Sequence, residues 1–89
     1  MTVTIPSALR PYCEGRTELE LAGGDVRAVV GELARLHPEV HRRLFDERGD
    51  PRPHINIFIN EDHVRARDGL DSRLNPGDVV TILPAVSGG

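Results

Sequence analysis

The group in the sequence that is best suited to a chemical reaction is the carboxylate of Gly89, which follows Ser87 and Gly88. Because glycine has no Cβ, a Gly-Gly segment can enter a narrow channel and adopt dihedral angles closed to other residues. The carboxylate is ionised at neutral pH and is a poor electrophile, so a partner must activate it, most simply as an acyl-adenylate made from ATP. Sulfide or a persulfide can then attack the carbonyl. We predict Gly89 as a covalent attachment site, with Gly88, Ser87 and Val86 as the narrow access to it.

A strand placed just before this segment is needed to hold it at a fixed position. Val79–Leu83 is rich in Val, Ile and Leu, and it lies between the turn Asn75–Asp78 and Pro84. This composition favours a position in the middle of a sheet, beside the first strand. Pro84 ends the strand, so we expect one domain over residues 1–84 and a flexible tail over 85–89.

Patterns of apolar residues place the elements of the first half of the chain. Thr2–Ile5 and Thr17–Leu21 alternate polar and apolar residues and predict an antiparallel hairpin. Asp25 is a suitable N-cap for a helix whose apolar face lies on the sheet. The residues of that face recur at helical spacing: Val26, Val29, Val30, Leu33 and Leu36. Pro38 ends this helix and opens a short second one with Val40, Leu44 and Phe45.

The second half of the chain contains the clearest strand, His54–Asn60, which is followed by a turn and a short edge strand near Val64. The element order is strand, strand, helix, and then strands. This order predicts an α+β fold of two layers, the β-grasp (ubiquitin-like) arrangement. We expect a mixed sheet of four to five strands with one main helix packed on one face.

Composition excludes several classes of function. The net charge is −3 and the isoelectric point about 5.7, whereas a nucleic-acid-binding protein carries a basic face. The single cysteine, Cys13, precludes an internal disulfide framework and fits a reducing compartment. We find no secretion signal and no apolar run long enough to cross a bilayer. We therefore expect a cytoplasmic protein without a nucleic-acid or membrane partner.

Other reactive side chains form no convincing motif. Cys13 is a possible nucleophile, but no sequence feature orients one of the four histidines as its base; these are His37, His41, His54 and His63. His37 and His41 have the spacing of helical metal ligands, yet Pro38 lies between them and no further ligand motif is present. We predict no catalytic residue, no metal site and no bound cofactor.

Strand alternation also predicts a surface for a protein partner. If Ile55, Ile57 and Ile59 face the helix, Phe58 lies on the opposite, uncovered face of the sheet. The same argument places Leu83 on that face, close to the root of the tail. Phe58 and Leu83 are therefore predicted docking residues.

The end of the sequence resembles the MoaD/ThiS family of sulfur carriers. The segment that carries the resemblance is Thr81–Gly89 with the preceding turn Asn75–Asp78, and Asn56–Asn60 resembles the central strand and turn of the family. Leu9-Arg10-Pro11 resembles members that serve cysteine biosynthesis in actinobacteria. Ile82–Ala85 is more similar to these carriers than to the small subunit of molybdopterin synthase, which often has aromatic residues before its proline.

The resemblance implies a carrier rather than an enzyme. An E1-like adenylyltransferase/sulfurtransferase would use ATP to adenylate Gly89 and convert it to a thiocarboxylate. A sulfur-accepting synthase would then take the sulfur, most simply for cysteine. Alternatives within the family are the molybdopterin synthase small subunit and other thiocarboxylate carriers.

Two alternatives of another class stay open on the sequence alone. The same fold can serve as a ubiquitin-like protein modifier, which is attached to lysines. It can also serve as a non-covalent interaction module whose Gly-Gly segment is inert. A Cys/His hydrolase is disfavoured because no catalytic triad is oriented.

Overall fold

A computed structural model describes residues 1–84 of the chain. Its seven principal elements are β1 (Thr2–Thr4), β2 (Glu18–Glu20), α1 (Val26–Leu36), α2 (Pro38–Leu44), β3 (Ile55–Ile59), β4 (Asp62–His63) and β5 (Val79–Pro84). Short 3-10 helices cover Ser7–Cys13, Val64–Ala66 and Gly69–Asp71. None of the helices in this part of the chain has the length and apolar character needed to cross a membrane.

The five strands form one mixed sheet in the order β2-β1-β5-β3-β4. β5 lies parallel to β1 and antiparallel to β3, while β1 and β2 form the predicted antiparallel hairpin. The last strand therefore lies beside the first in the middle of the sheet. The predicted β-grasp fold is confirmed.

Helix α1 begins where the sequence predicts it. A side-chain oxygen of Asp25 accepts a hydrogen bond of 2.8 Å from the backbone N–H of Ala28, which satisfies one of the free donors of the first turn. Gly23 is required just before the cap, because a Cβ there would lie 2.7 Å from both the backbone nitrogen and Cγ2 of Val29. One predicted core residue is wrong: Leu36 is 47% exposed and borders a groove beside β2, since it lies at the edge of the apolar face.

The core lies between the sheet and the two helices and is almost entirely aliphatic. β3 alternates as predicted, with Ile55, Ile57 and Ile59 buried. Phe45, the residue that follows α2, is fully buried and stacks on His41 with ring centroids 5.1 Å apart. Partial burial of this imidazole lowers the pKa of His41, because burial disfavours its charged form.

A small polar network fixes the end of the sheet where β3 stops and β5 starts. Asn60 adopts a left-handed backbone conformation with φ 53°, and its side chain donates to Asp78 and accepts from the backbone of Val79, both at 3.0 Å. The other carboxylate oxygen of Asp78 accepts from the backbone N–H of Asn75 at 2.8 Å. These hydrogen bonds, that of Asn75 foremost, lower the pKa of Asp78. They set the β3–β5 register at this end.

The two faces of β3 give a direct test of the sheet's orientation. Ile57→Ala should lower the free energy of unfolding by about 2–5 kcal/mol, because Ile57 is fully buried and its removal leaves a cavity. Phe58→Ala should cost about 1 kcal/mol, because this residue lies half-buried on the uncovered face. Chemical denaturation of both variants measures the difference. Equal losses of stability would contradict the assignment of faces.

Candidate functional site

The site that the sequence predicts begins at the last residue of β5. The strand is paired with β3 from Val80 to its final residue, Pro84, which lies opposite Ile55. Pairing of Thr2–Thr4 with Val79–Thr81 holds the other edge of the strand. The predicted tail, residues 85–89, falls on residues that the structure does not describe, and with it the predicted attachment site Gly89 and its access residues Val86, Ser87 and Gly88. The described part of the chain establishes the position of the root of the tail.

Leu83 and Phe58 lie on the uncovered face of the sheet, as predicted, but they are not directly paired. Leu83 lies opposite Asn56, and Phe58 lies opposite Thr81. The two apolar residues are therefore diagonal neighbours within a partly polar face. Leu83 is 44% exposed, so an apolar group is available to a partner one residue before the end of β5.

Phe58 is held from the side by the neighbouring strand. Its ring packs edge-on against His63, with centroids 5.1 Å apart and an interplanar angle of 74°. The backbone N–H of Arg65 donates to Nδ1 of His63 at 3.0 Å, so Nε2 is the protonated nitrogen of the neutral ring and donates to the side-chain oxygen of Asn56 at 3.0 Å. This chain of contacts fixes the aromatic residue that the sequence singled out as a docking residue.

Cys13 is not available as a nucleophile in this structure. It ends a 3-10 helix and is 1% exposed. Its Sγ lies 3.5 Å from the backbone carbonyl oxygens of both Arg10 and Arg16, which accept a weak hydrogen bond from the thiol. Within residues 1–84 the hydrogen-bond partners of Sγ are backbone carbonyls and not a histidine. The buried thiol therefore serves as a small packed side chain of the core.

Two of the four histidines make defined side-chain contacts. Across residues 1–84 no three His, Cys, Asp or Glu side chains are placed together to hold a metal ion. His41 packs on Phe45, and His63 is engaged with Asn56 and Phe58. The contacts of these two imidazole rings are therefore with neighbouring side chains of the fold.

Sequence reasoning missed a groove at the root of the tail. It has a volume of about 130 Å³, and its apolar lining consists of Pro6, Ala8, Leu9, Leu44, Ile55 and Pro84. The groove is assembled from four elements that are far apart in the sequence. The apolar character of these residues is visible in the sequence, but no pattern in the sequence predicts that they lie together.

Comparison with known proteins places the chain among small carriers and modifiers of this fold. The sulfur carrier protein CysO of Mycobacterium tuberculosis is 37% identical over 91 residues, covering 100% of this chain and 98% of that protein. The crystal structure of that CysO superposes with a TM-score of 0.87, covering 96% of this chain and 98% of that one.

Two further solved structures are similar over nearly the whole chain. CysO in the BexX/CysO complex of Amycolatopsis orientalis is 35% identical with a TM-score of 0.88, covering 99% of this chain and 98% of that one. Small archaeal modifier protein 1 of Methanosarcina acetivorans is 34% identical with a TM-score of 0.82, covering 99% of this chain and 94% of that one. The model of the ThiS family matches residues 3–89. The chain, with a β-grasp domain that ends its central strand at the root of a Gly-Gly segment, belongs to the ThiS family.

Proposed function

We propose that this protein is a sulfur carrier that works through a thiocarboxylate at Gly89, most simply for the biosynthesis of cysteine. The observation that carries the proposal is its similarity to CysO, a sulfur carrier protein, over the entire chain. The position of β5 supports it, because pairing with β1 over Val79–Thr81 and with β3 as far as Pro84 gives the following residues a defined starting point.

The chemistry needs a partner at each step. An E1-like enzyme joins the Gly89 carboxylate to the α-phosphate of ATP, forming an acyl-adenylate and releasing pyrophosphate. Sulfide then attacks the acyl carbon and AMP leaves, which gives the thiocarboxylate. On a sulfur-accepting synthase this sulfur attacks an electrophilic carbon of the synthase's substrate and displaces the leaving group that the carbon carries, which gives a thioester. Hydrolysis of the acyl–sulfur bond then releases the product as a thiol and restores the Gly89 carboxylate. The carrier contributes the acyl group and the docking face that contains Phe58 and Leu83, and ATP is bound by its partner.

A protein modifier is the second candidate, because small archaeal modifier protein 1 is similar over nearly the whole chain. This function would join the Gly89 carbonyl to a lysine of a target protein. All 11 basic residues of the present sequence are arginines, so the protein cannot build polymers on lysines of its own. Isopeptide adducts in a cell lysate would favour the modifier, and a free thiocarboxylate favours the carrier.

The first test of the carrier is its charging. With its cognate E1-like enzyme, ATP and sulfide, the intact mass should change by the replacement of one oxygen by sulfur. Deletion of Gly88-Gly89 should abolish this change and leave the melting temperature nearly the same, because the pairing of β5 through Pro84 does not involve these residues. An unchanged mass of the full chain with a verified cognate enzyme would refute the proposal.

Docking through the sheet face is tested by two variants of that face and one control variant. Phe58→Ala should weaken binding to the E1-like enzyme by about 2 kcal/mol, as expected for a large apolar anchor, and Leu83→Ala should have a smaller effect. Leu36→Ala is the control, since Leu36 is 47% exposed and Leu83 is 44% exposed. Isothermal titration measures all three. Equal affinities for the Leu83 and Leu36 variants would argue against a role of this face.

The role of Cys13 is tested by Cys13→Ser. We expect this variant to be charged and to donate sulfur at the rate of the unaltered protein, because the transferable sulfur is carried by Gly89 and the thiol is buried. The polar hydroxyl in the core should lower the melting temperature by a few degrees, so assays belong well below that temperature. A folded Cys13→Ser protein that is charged but fails to transfer sulfur would instead assign the chemistry to the thiol.

A further inference from the structure

The groove at the root of the tail continues into a wider, basic depression. The depression has a volume of about 570 Å³ and is lined by Leu9, Arg42, Arg43 and Arg52. Leu9 and Arg43 also line the apolar groove that contains Pro84. The two hollows therefore form one surface, which we call the basic groove, with an apolar part next to the end of β5 and an arginine part beyond it.

The charge of the basic groove is opposite to that of the molecule. Glu39 forms ion pairs with Arg42 at 2.7 Å and with Arg43 at 3.8 Å. Three arginines and this one glutamate leave a formal charge of +2, whereas the whole chain carries −3. A positive region on a negative protein orients it toward an acidic surface during diffusional encounter.

Intramolecular contacts hold the arginines in place. Nε and Nη2 of Arg52 both donate to the backbone carbonyl of Arg42, at 3.1 and 2.9 Å. The guanidinium of Arg43 lies 4.1 Å from the ring centroid of Tyr12, a cation–π contact. Arg42 itself is 66% exposed. A partner therefore meets charges that are already positioned, which lowers the entropy lost on binding.

We propose that the basic groove docks an acidic surface, with an apolar centre, of the E1-like enzyme that activates Gly89. Continuity with the tail supports this occupant: Pro84, the last residue of β5, lines the apolar part, so an enzyme that takes up the tail must approach beside it. The complementary charge supports an acidic partner. The inference rests on the proposed carrier function.

The basic groove is distinct from the docking face that contains Phe58 and Leu83. Side chains alternate along β5, so Leu83 lies on the uncovered face and Pro84 on the side of α2. The activating enzyme would thus contact the root of the tail from both sides.

Charge reversal at one exposed arginine tests the inference. Arg42→Glu should lower kcat/KM for ATP-dependent charging about fivefold at low salt, mostly through KM, and the loss should shrink at high salt. Arg35→Glu is the matched control, because Arg35 is 68% exposed and pairs with Glu32 at the same i,i+3 spacing as Arg42 with Glu39. It should change kcat/KM less than twofold. Ala8→Asp, which adds a negative charge to the apolar part, should act like Arg42→Glu.

The outcomes separate this inference from the proposed function. Charging of the unaltered protein together with equal rates for Arg42→Glu and Arg35→Glu would overturn the inference and leave the carrier function intact. Absence of charging in the unaltered protein would refute the carrier function itself. Gel filtration provides a further check, since a dimer that Arg42→Glu dissociates would assign the groove to a second copy of this chain and overturn the inference.

Discussion

The pairing of β5 between β1 and β3 is the constraint on which the rest of the structure depends. It places Val80 and Ile82 in the core, and it pairs the strand with β1 over Val79–Thr81 and with β3 over Val80–Pro84. A strand held in this way cannot shift its register by one residue without exposing its apolar face. Leu83 and Pro84 consequently have fixed positions, although both are exposed. The chain that follows starts from a defined point.

An aliphatic core suits this arrangement because the protein is small. A domain of this size buries a modest fraction of its surface, and each buried methyl group contributes a noticeable part of its stability. Phe45 is the only fully buried aromatic side chain among residues 1–84. The other phenylalanine, Phe58, lies half-buried on the uncovered face, where the exposed part of its ring is available to a partner.

Much of this fold was predictable because its signals are local. The alternation of Ile55, Ile57 and Ile59 set the faces of β3, and the Asp25 cap and Pro38 set the ends of α1. The segment Ser7–Cys13 was not predictable as a 3-10 helix, since it contains Pro11 and shows neither strand nor helical periodicity. The burial of Cys13 depends on that helix, and therefore could not be predicted either.

The candidate site also combines features that local sequence patterns predict with features that depend on contacts between distant elements. Phe58 and Leu83 follow from strand alternation, a local rule, whereas their diagonal relation depends on the β3–β5 register. The basic groove depends on contacts between elements far apart in the chain: Leu9, Arg43, Ile55 and Pro84 come from four different elements. No spacing rule brings such residues together, because their proximity is a consequence of the finished fold.

The composition of the two surfaces suits the proposed carrier function, in which the protein leaves its partner after each cycle. The apolar part of the basic groove is small, and the sheet face mixes Phe58 and Leu83 with Asn56 and Thr81, so neither surface resembles the apolar interface of a permanent complex. In the proposed docking, the arginines of the basic groove would raise the rate of association more than they slow dissociation. A carrier gains from this balance, since fast encounter speeds charging whereas tight binding would delay delivery of the sulfur.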